Sequence, residues 1–129
     1  MVNDANRFEQ GIVTTPTLFG WNATLKFYEK LGIKNIENRI TDLGGYLIER
    51  LQDIGCEILT PIDEDKRHGL IKYTTGSYQK DKESWEFFES PPIGKKPIKV
   101  SLRSLGGVDG MRVSCHFYNT KDDIDELVE

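Results

Sequence analysis

Cysteine and histidine are scarce in this chain. Cys56, Cys115, His68 and His116 are its whole supply in 129 residues. They sit on separate segments without metal-ligand spacing, so no metal site is expected. Each cysteine falls in an expected strand, where a buried free thiol is the ordinary outcome. A reducing cytoplasm fits that usage. Long apolar runs are missing too. None approaches the ~20 residues of a membrane span, and the opening "MVNDANRFEQG" has no apolar signal-peptide centre. Positive charge is outnumbered, with 17 Lys and Arg against 21 Asp and Glu, a net charge of −4. No general attraction to nucleic acid or to an anionic membrane is expected. There is no nucleotide-phosphate loop, no Gly-x-Ser-x-Gly elbow and no His-Glu-x-x-His helix. The acidic run Asp63–Asp65 lacks the EF-hand spacing and reads as a solvated loop. No catalytic residue is assigned to this chain, and an enzyme acting on its own is poorly supported.

What is present is one domain's length of amphipathic elements. A helix is expected from about Pro16 or Thr17 to Leu31. Leu18, Trp21, Leu25 and Tyr28 form its apolar stripe, and Gly32 is its stop. A stronger helix is expected over Asn35 to Asp53, capped by Asn35. There Ile36, Ile40, Leu43, Leu47, Leu51 and Ile54 recur on one face. Short strands are expected at 56–60 and 69–75, then a helix at 80–90 that "PPIGKKP" terminates. Two more β-rich runs follow, 98–103 and 111–116, joined by the seven-residue connection "SLGGVDG". Asn119 or Thr120 caps a last helix, with Asp122 and Asp123 in its first turn. The order ααββαββα predicts an α+β domain: a small, mostly antiparallel sheet with helices packed on one face.

The last two strands raise a chemical question. If they pair with their apolar faces together, the opposite face carries Lys99, Ser101, Arg103, Arg112, Ser114 and His116. That is a local inversion of sign in an acidic protein. A guanidinium there offers a planar fork of donors to a carboxylate or phosphate. The plain alternative is a solvated outer sheet face that needs no ligand. Pattern alone leaves both open, and His116 has no nearby partner that would make it a catalyst.

Several stretches together resemble one family. They are "RFEQG" at 7–11, "KFYEKLGI", "NIENRI..L..YLIERL", "EILTP" and, most specifically, "MRVSCHFYNTKDDIDEL". The chain is similar to the C-terminal small domain of class V aminotransferases, the fold-type I pyridoxal-phosphate enzymes that include cysteine desulfurases. The resemblance implies that Arg112 binds the α-carboxylate of an amino-acid substrate, with Arg103 a secondary anion contact. It also implies pyridoxal phosphate and a homodimer in the full-length enzyme, and a large cofactor-binding domain as this domain's partner. The Schiff-base lysine, the aspartate that pairs with the pyridine nitrogen and the aromatic or histidine that stacks on the ring would lie in that large domain. By itself the chain is therefore expected to bind no cofactor and to be inactive. Where the family's "RFExGT" has a threonine for the cofactor phosphate of the opposite subunit, this chain has Ile12, and Thr14 or Thr15 would have to stand in. Desulfurases of the group carry a nucleophilic cysteine on a loop before the "RxS" strand, and residues 76–100 contain none. A persulfide mechanism is thus disfavoured, and a transferase, lyase or epimerase stays open. The rival reading is a stand-alone, non-catalytic module that binds a small anion or a protein. An exposed apolar patch including Leu18, Phe19 and Trp21 would favour the first reading over it.

Overall fold

The computed structural model describes residues 11, 14–105 and 107–129. The segment "RFEQG" and Ile12 therefore lie mostly outside the described residues. The chain divides into two compact units, 1–33 and 34–129, and each is described by itself.

The first unit contributes helix α1, Thr15–Leu31. It starts slightly before the expected point because the Thr14 carbonyl accepts from the N–H groups of Thr17 and Leu18. Pro16 in the first turn loses no helical hydrogen bond, since its missing N–H belongs to the unpaired end of the helix. Gly32 ends the helix as expected. Its φ of +82° suits glycine, and its N–H bonds the Tyr28 carbonyl. α1 buries none of its residues. Leu18, Phe19 and Trp21 are 46%, 72% and 62% exposed.

The second unit carries the core. Helix α2, Ile33–Asp53, buries Leu43, Leu47 and Leu51 of the expected stripe and, beside them, Ile48, while Ile36 and Ile40 are only partly buried. It begins two residues before Asn35, so Asn35 is inside the helix and not its cap. Ile54 falls past the helix end and is exposed. Strands β1 (Glu57–Ile58), β2 (Leu70–Thr74), β3 (Ser101–Leu105) and β4 (Val108–Ser114) form one sheet in the order β1-β2-β4-β3. Every pairing is antiparallel. Helix α3, Tyr78–Glu89, begins under a Ser77 cap, and α4 spans Lys121–Val128. Ile71, Tyr73 and Met111 of the sheet join Leu43, Leu47 and Leu51 of α2 and Ile124 and Leu127 of α4 in one buried cluster. Burying each such side chain stabilises by about 1.5–3 kcal/mol. The α+β architecture matches the expectation.

The hairpin differs from it. The segment 104–110 is not a seven-residue loop: β3 runs on to Leu105, β4 starts at Val108, and the two residues are paired. Gly107 at φ +76° supplies the left-handed conformation that a two-residue turn requires. At the other end, Ile98–Val100 leave the ladder. The Ile98 N–H bonds the Phe88 carbonyl instead of β4.

Polar contacts pin the elements together. Asp125 on α4 accepts from Tyr46 Oη at 2.7 Å and Arg50 Nε at 2.8 Å, both on α2. The Thr120 hydroxyl accepts from the Asp123 N–H, and the Asp123 carboxylate accepts from the Thr120 N–H, a reciprocal cap at the expected helix start. Asn119 Oδ1 accepts from the His116 N–H, which fixes the end of β4. Asp81, fully buried, accepts from the Thr74 and Thr75 hydroxyls and the Thr75 N–H. Arg67 is buried against Gly44 and Gly45, where a Cβ at Gly44 would stand 3.0 Å from its guanidinium.

Candidate functional site

The antiparallel register sets Lys72, Arg112 and Ser101 in one row across β2, β4 and β3. Directly opposed residues share a face, so this row lies on the face away from Tyr73 and Met111. Arg103 stands opposite Gly110 and is the diagonal neighbour of Arg112. Gly110 is buried and puts no side chain between them. A Cβ there would meet the Tyr73 carbonyl at 2.7 Å, Leu59 Cδ1 at 3.0 Å and Lys72 Cε at 3.3 Å, so no larger residue fits without a shift. The Lys72 ammonium donates to the Val108 carbonyl at 2.6 Å.

Arg112 is half-buried, and its Nε is fully buried without a hydrogen-bond partner. Among the described residues, no ion pair involves Arg112, Arg103 or Lys72. An unsatisfied buried donor costs about 1–3 kcal/mol, and more on a charged group. A carboxylate or phosphate oxygen at that nitrogen would remove the cost and form a charge-assisted bond. Two clefts of about 470 Å³ lie elsewhere. One is bordered by Lys96, Val100, Ser114 and Leu127, the other by Glu37, Asp42, Glu64 and His68, and Arg112 lines neither.

The six residues expected on the polar face are only partly brought together. Ser101, Arg103, Arg112 and Ser114 occupy it. Lys99 does not, because it lies before β3 and pairs with Glu89 at the end of α3. His116 lies beyond β4, with its ring stacked on Tyr118 at 4.5 Å and its Nδ1 buried and unpartnered. Lys72 and Gly110 were missed. The alternation of "GLIKYTT" marks Lys72 as outward-facing, but only the register places it beside Arg112. Thr14 and Thr15 stand exposed at the start of α1, and the Thr14 side chain makes no cap hydrogen bond.

The thiols are poor nucleophiles here. Burial pushes the Cys115 thiol up to about 11. Burial, with Asp81 nearby, also raises that of Cys56. Among the described residues no cluster of three or more His, Cys, Asp and Glu side chains could hold a metal ion. No helix among them is long and apolar enough to cross a membrane.

The second unit is a small α+β fold that gathers Lys72, Arg103 and Arg112 on one face of its sheet. Sequence comparison makes that class specific. The family model described as aminotransferase class-V matches residues 2–127. Over 127 residues the chain is 27% identical to the cysteine desulfurase of Cronobacter sakazakii and 28% identical to a probable cysteine desulfurase of Staphylococcus epidermidis. It is 26% identical to a probable cysteine desulfurase of Halalkalibacterium halodurans. In each case the match covers 95% of this chain and 30% of the relative. The chain belongs to the class V aminotransferase family, and it spans about 30% of the length of these curated relatives.

Family membership implies pyridoxal phosphate in the full-length proteins. The residues described fit that group only at its margin. Arg112 offers an anion donor, and Thr14 and Thr15 offer hydroxyls. The fully buried acid, Asp81, is taken up by Thr74 and Thr75 and is not presented to a pyridine nitrogen.

Proposed function

We propose that this chain acts as the small domain of a larger pyridoxal-phosphate enzyme and supplies the group that holds the substrate's α-carboxylate. Arg112 is that group. The observation that carries the reading is its buried, unpartnered Nε on the sheet face it shares with Lys72 and Ser101. A half-buried guanidinium without an ion pair among the described residues is suited to an external anion. Its two-pronged geometry fixes the orientation of a carboxylate as well as its position. Orienting the amino acid is this domain's contribution to rate, because a fixed substrate reaches the reactive geometry without a further entropy cost.

The cofactor would be held by a separate large domain, with Thr14 or Thr15 reaching the phosphate of a partner subunit in a homodimer. The exposed Leu18, Phe19 and Trp21 on α1 support a partner for the first unit. The raised thiols of Cys56 and Cys115 support chemistry in which this chain provides no thiolate. A transferase, lyase or epimerase reaction on an amino acid fits that restriction.

The test uses the chain itself. With ¹⁵N-labelled protein at constant ionic strength, acetate should shift the Arg112 Nε–H resonance saturably. Arg50, already paired with Asp125, should stay still. An Arg112 resonance that moves no more than that of Arg50 would remove the clamp role.

A further inference from the structure

We infer that the same sheet face selects substrates with a second anionic group, that is, an amino acid whose side chain ends in a carboxylate or a phosphate. The inference rests on the reading of Arg112 as the α-carboxylate clamp and extends it to the neighbouring positions.

One carboxylate needs one guanidinium, yet this face has three cations around a single glycine. Arg103 stands opposite Gly110, Arg112 lies two residues further along β4, and the Lys72 chain passes close to Gly110. Lys72 and Arg112 are direct cross-strand neighbours of like charge, an arrangement that destabilises an isolated sheet. Nothing on these three strands offsets it. The residues of β2, β3 and β4 that share the face are Leu70, Lys72, Thr74, Ser101, Arg103, Leu105, Val108, Gly110, Arg112 and Ser114, and none is acidic. The one acid on the sheet's near side is Glu57 on β1, opposite Thr74, which is exposed.

The spacing suits two anionic groups on one small molecule. Arg103 and Arg112 are diagonal neighbours, with backbones about 7–8 Å apart. Their long side chains can close on two groups separated by two or three carbons. Arg103 is exposed and has no ion pair among the described residues, so it is free to turn toward Arg112. Lys72 is already tied to the Val108 carbonyl, which holds its charge in place without a counter-ion. Gly110 adds no side chain of its own between the two arginines, and the space its Cβ would take is shared by Leu59 Cδ1, Lys72 Cε and the Tyr73 carbonyl.

The experiment compares three probes on the whole chain by NMR at constant ionic strength: acetate, succinate and 3-phosphonopropionate. Acetate reports on the Arg112 clamp alone. At least one of the two dianionic probes should bind roughly 5- to 10-fold more tightly than acetate, beyond the factor of about 2 that two equivalent carboxylates give by counting. It should also shift the Nε–H of Arg103 together with that of Arg112. The tighter of the two identifies the second group as carboxylate or phosphate. In Arg103→Gln the advantage should fall to about 2-fold or less while the acetate response of Arg112 persists. Dianions that bind no better than acetate by more than that factor overturn the inference and leave the clamp intact. So does an advantage that survives Arg103→Gln. If acetate leaves Arg112 unmoved, both readings fall.

Discussion

The Oδ1 atom of Asp81 accepts two hydrogen bonds from Thr75, one from its N–H at 2.7 Å and one from its hydroxyl at 2.8 Å. Thr74 donates to the other carboxylate oxygen at 2.8 Å. This carboxylate is fully buried in the first turn of α3, where the helix dipole favours its charge, and it ties α3 to the end of β2. Replacing it with alanine strands three donors. Asp81→Ala should lower stability by about 2–4 kcal/mol, read from urea denaturation of the purified chain. Asp81→Asn keeps the shape and part of the bonding, and should lose less. A loss below about 0.5 kcal/mol in both variants would show that α3 is anchored by packing alone.

The acid limit of stability should trace to α4. The hydrogen bond from Tyr46, with Arg50 beside it, holds Asp125 below its ordinary carboxylate range. The Thr120 N–H and Asn119 do the same for Asp123. A depressed folded-state value means that the unfolded chain binds more protons in this range. The stabilisation is therefore complete above the unfolded value near 3.8 and is lost as pH falls through the lower folded value. Tyr46 has the opposite sign. Its hydrogen bond to Asp125 raises its value above 10, so that contribution holds below pH 10 and is lost as pH rises through the folded value. Denaturation midpoints should thus be flat between about pH 5 and 9 and fall on both sides. Asp125→Asn should flatten the acid limb, and an unchanged limb would locate the titrating groups elsewhere.

Both thiols should react slowly. A thiolate is the reactive form, and burial raises Cys115 to about 11 and lifts Cys56 as well. At pH 7.5 a disulfide reagent should find no fast-reacting thiol in the native chain, and Cys115 should react only as quickly as the domain opens. A burst of one equivalent within seconds would identify an activated cysteine and reopen a thiolate mechanism for this chain.

Much of this fold was legible because its helices are periodic. The spacing of Leu43, Leu47 and Leu51 marks the buried face of α2, and "NTKDD" marks the cap of α4. The hairpin was less legible. "SLGGVDG" has the composition of a loop, yet the pairs Ser104–Asp109 and Leu105–Val108 carry it into strands up to the glycine turn. Buried charge was not legible at all. Asp81 and Arg67 resemble surface residues until Thr74, Thr75 and the Gly44–Gly45 notch are seen around them. The candidate site falls between these cases. Arg112 is visible on a polar strand face, whereas its company depends on register. Lys72 enters from another strand, and Lys99 leaves because Ile98 bonds the end of α3.

The most direct measurement of the clamp is a kinetic one on Arg112→Gln in the assembled, pyridoxal-phosphate-loaded enzyme. Losing a charge-assisted, partly buried contact to the carboxylate costs about 2–5 kcal/mol. The KM for the amino acid should therefore rise by roughly 30-fold or more, and Arg112→Lys should recover only part of it, because an ammonium lacks the paired donors. A KM within about 2-fold of the wild-type value in Arg112→Gln would contradict the assignment.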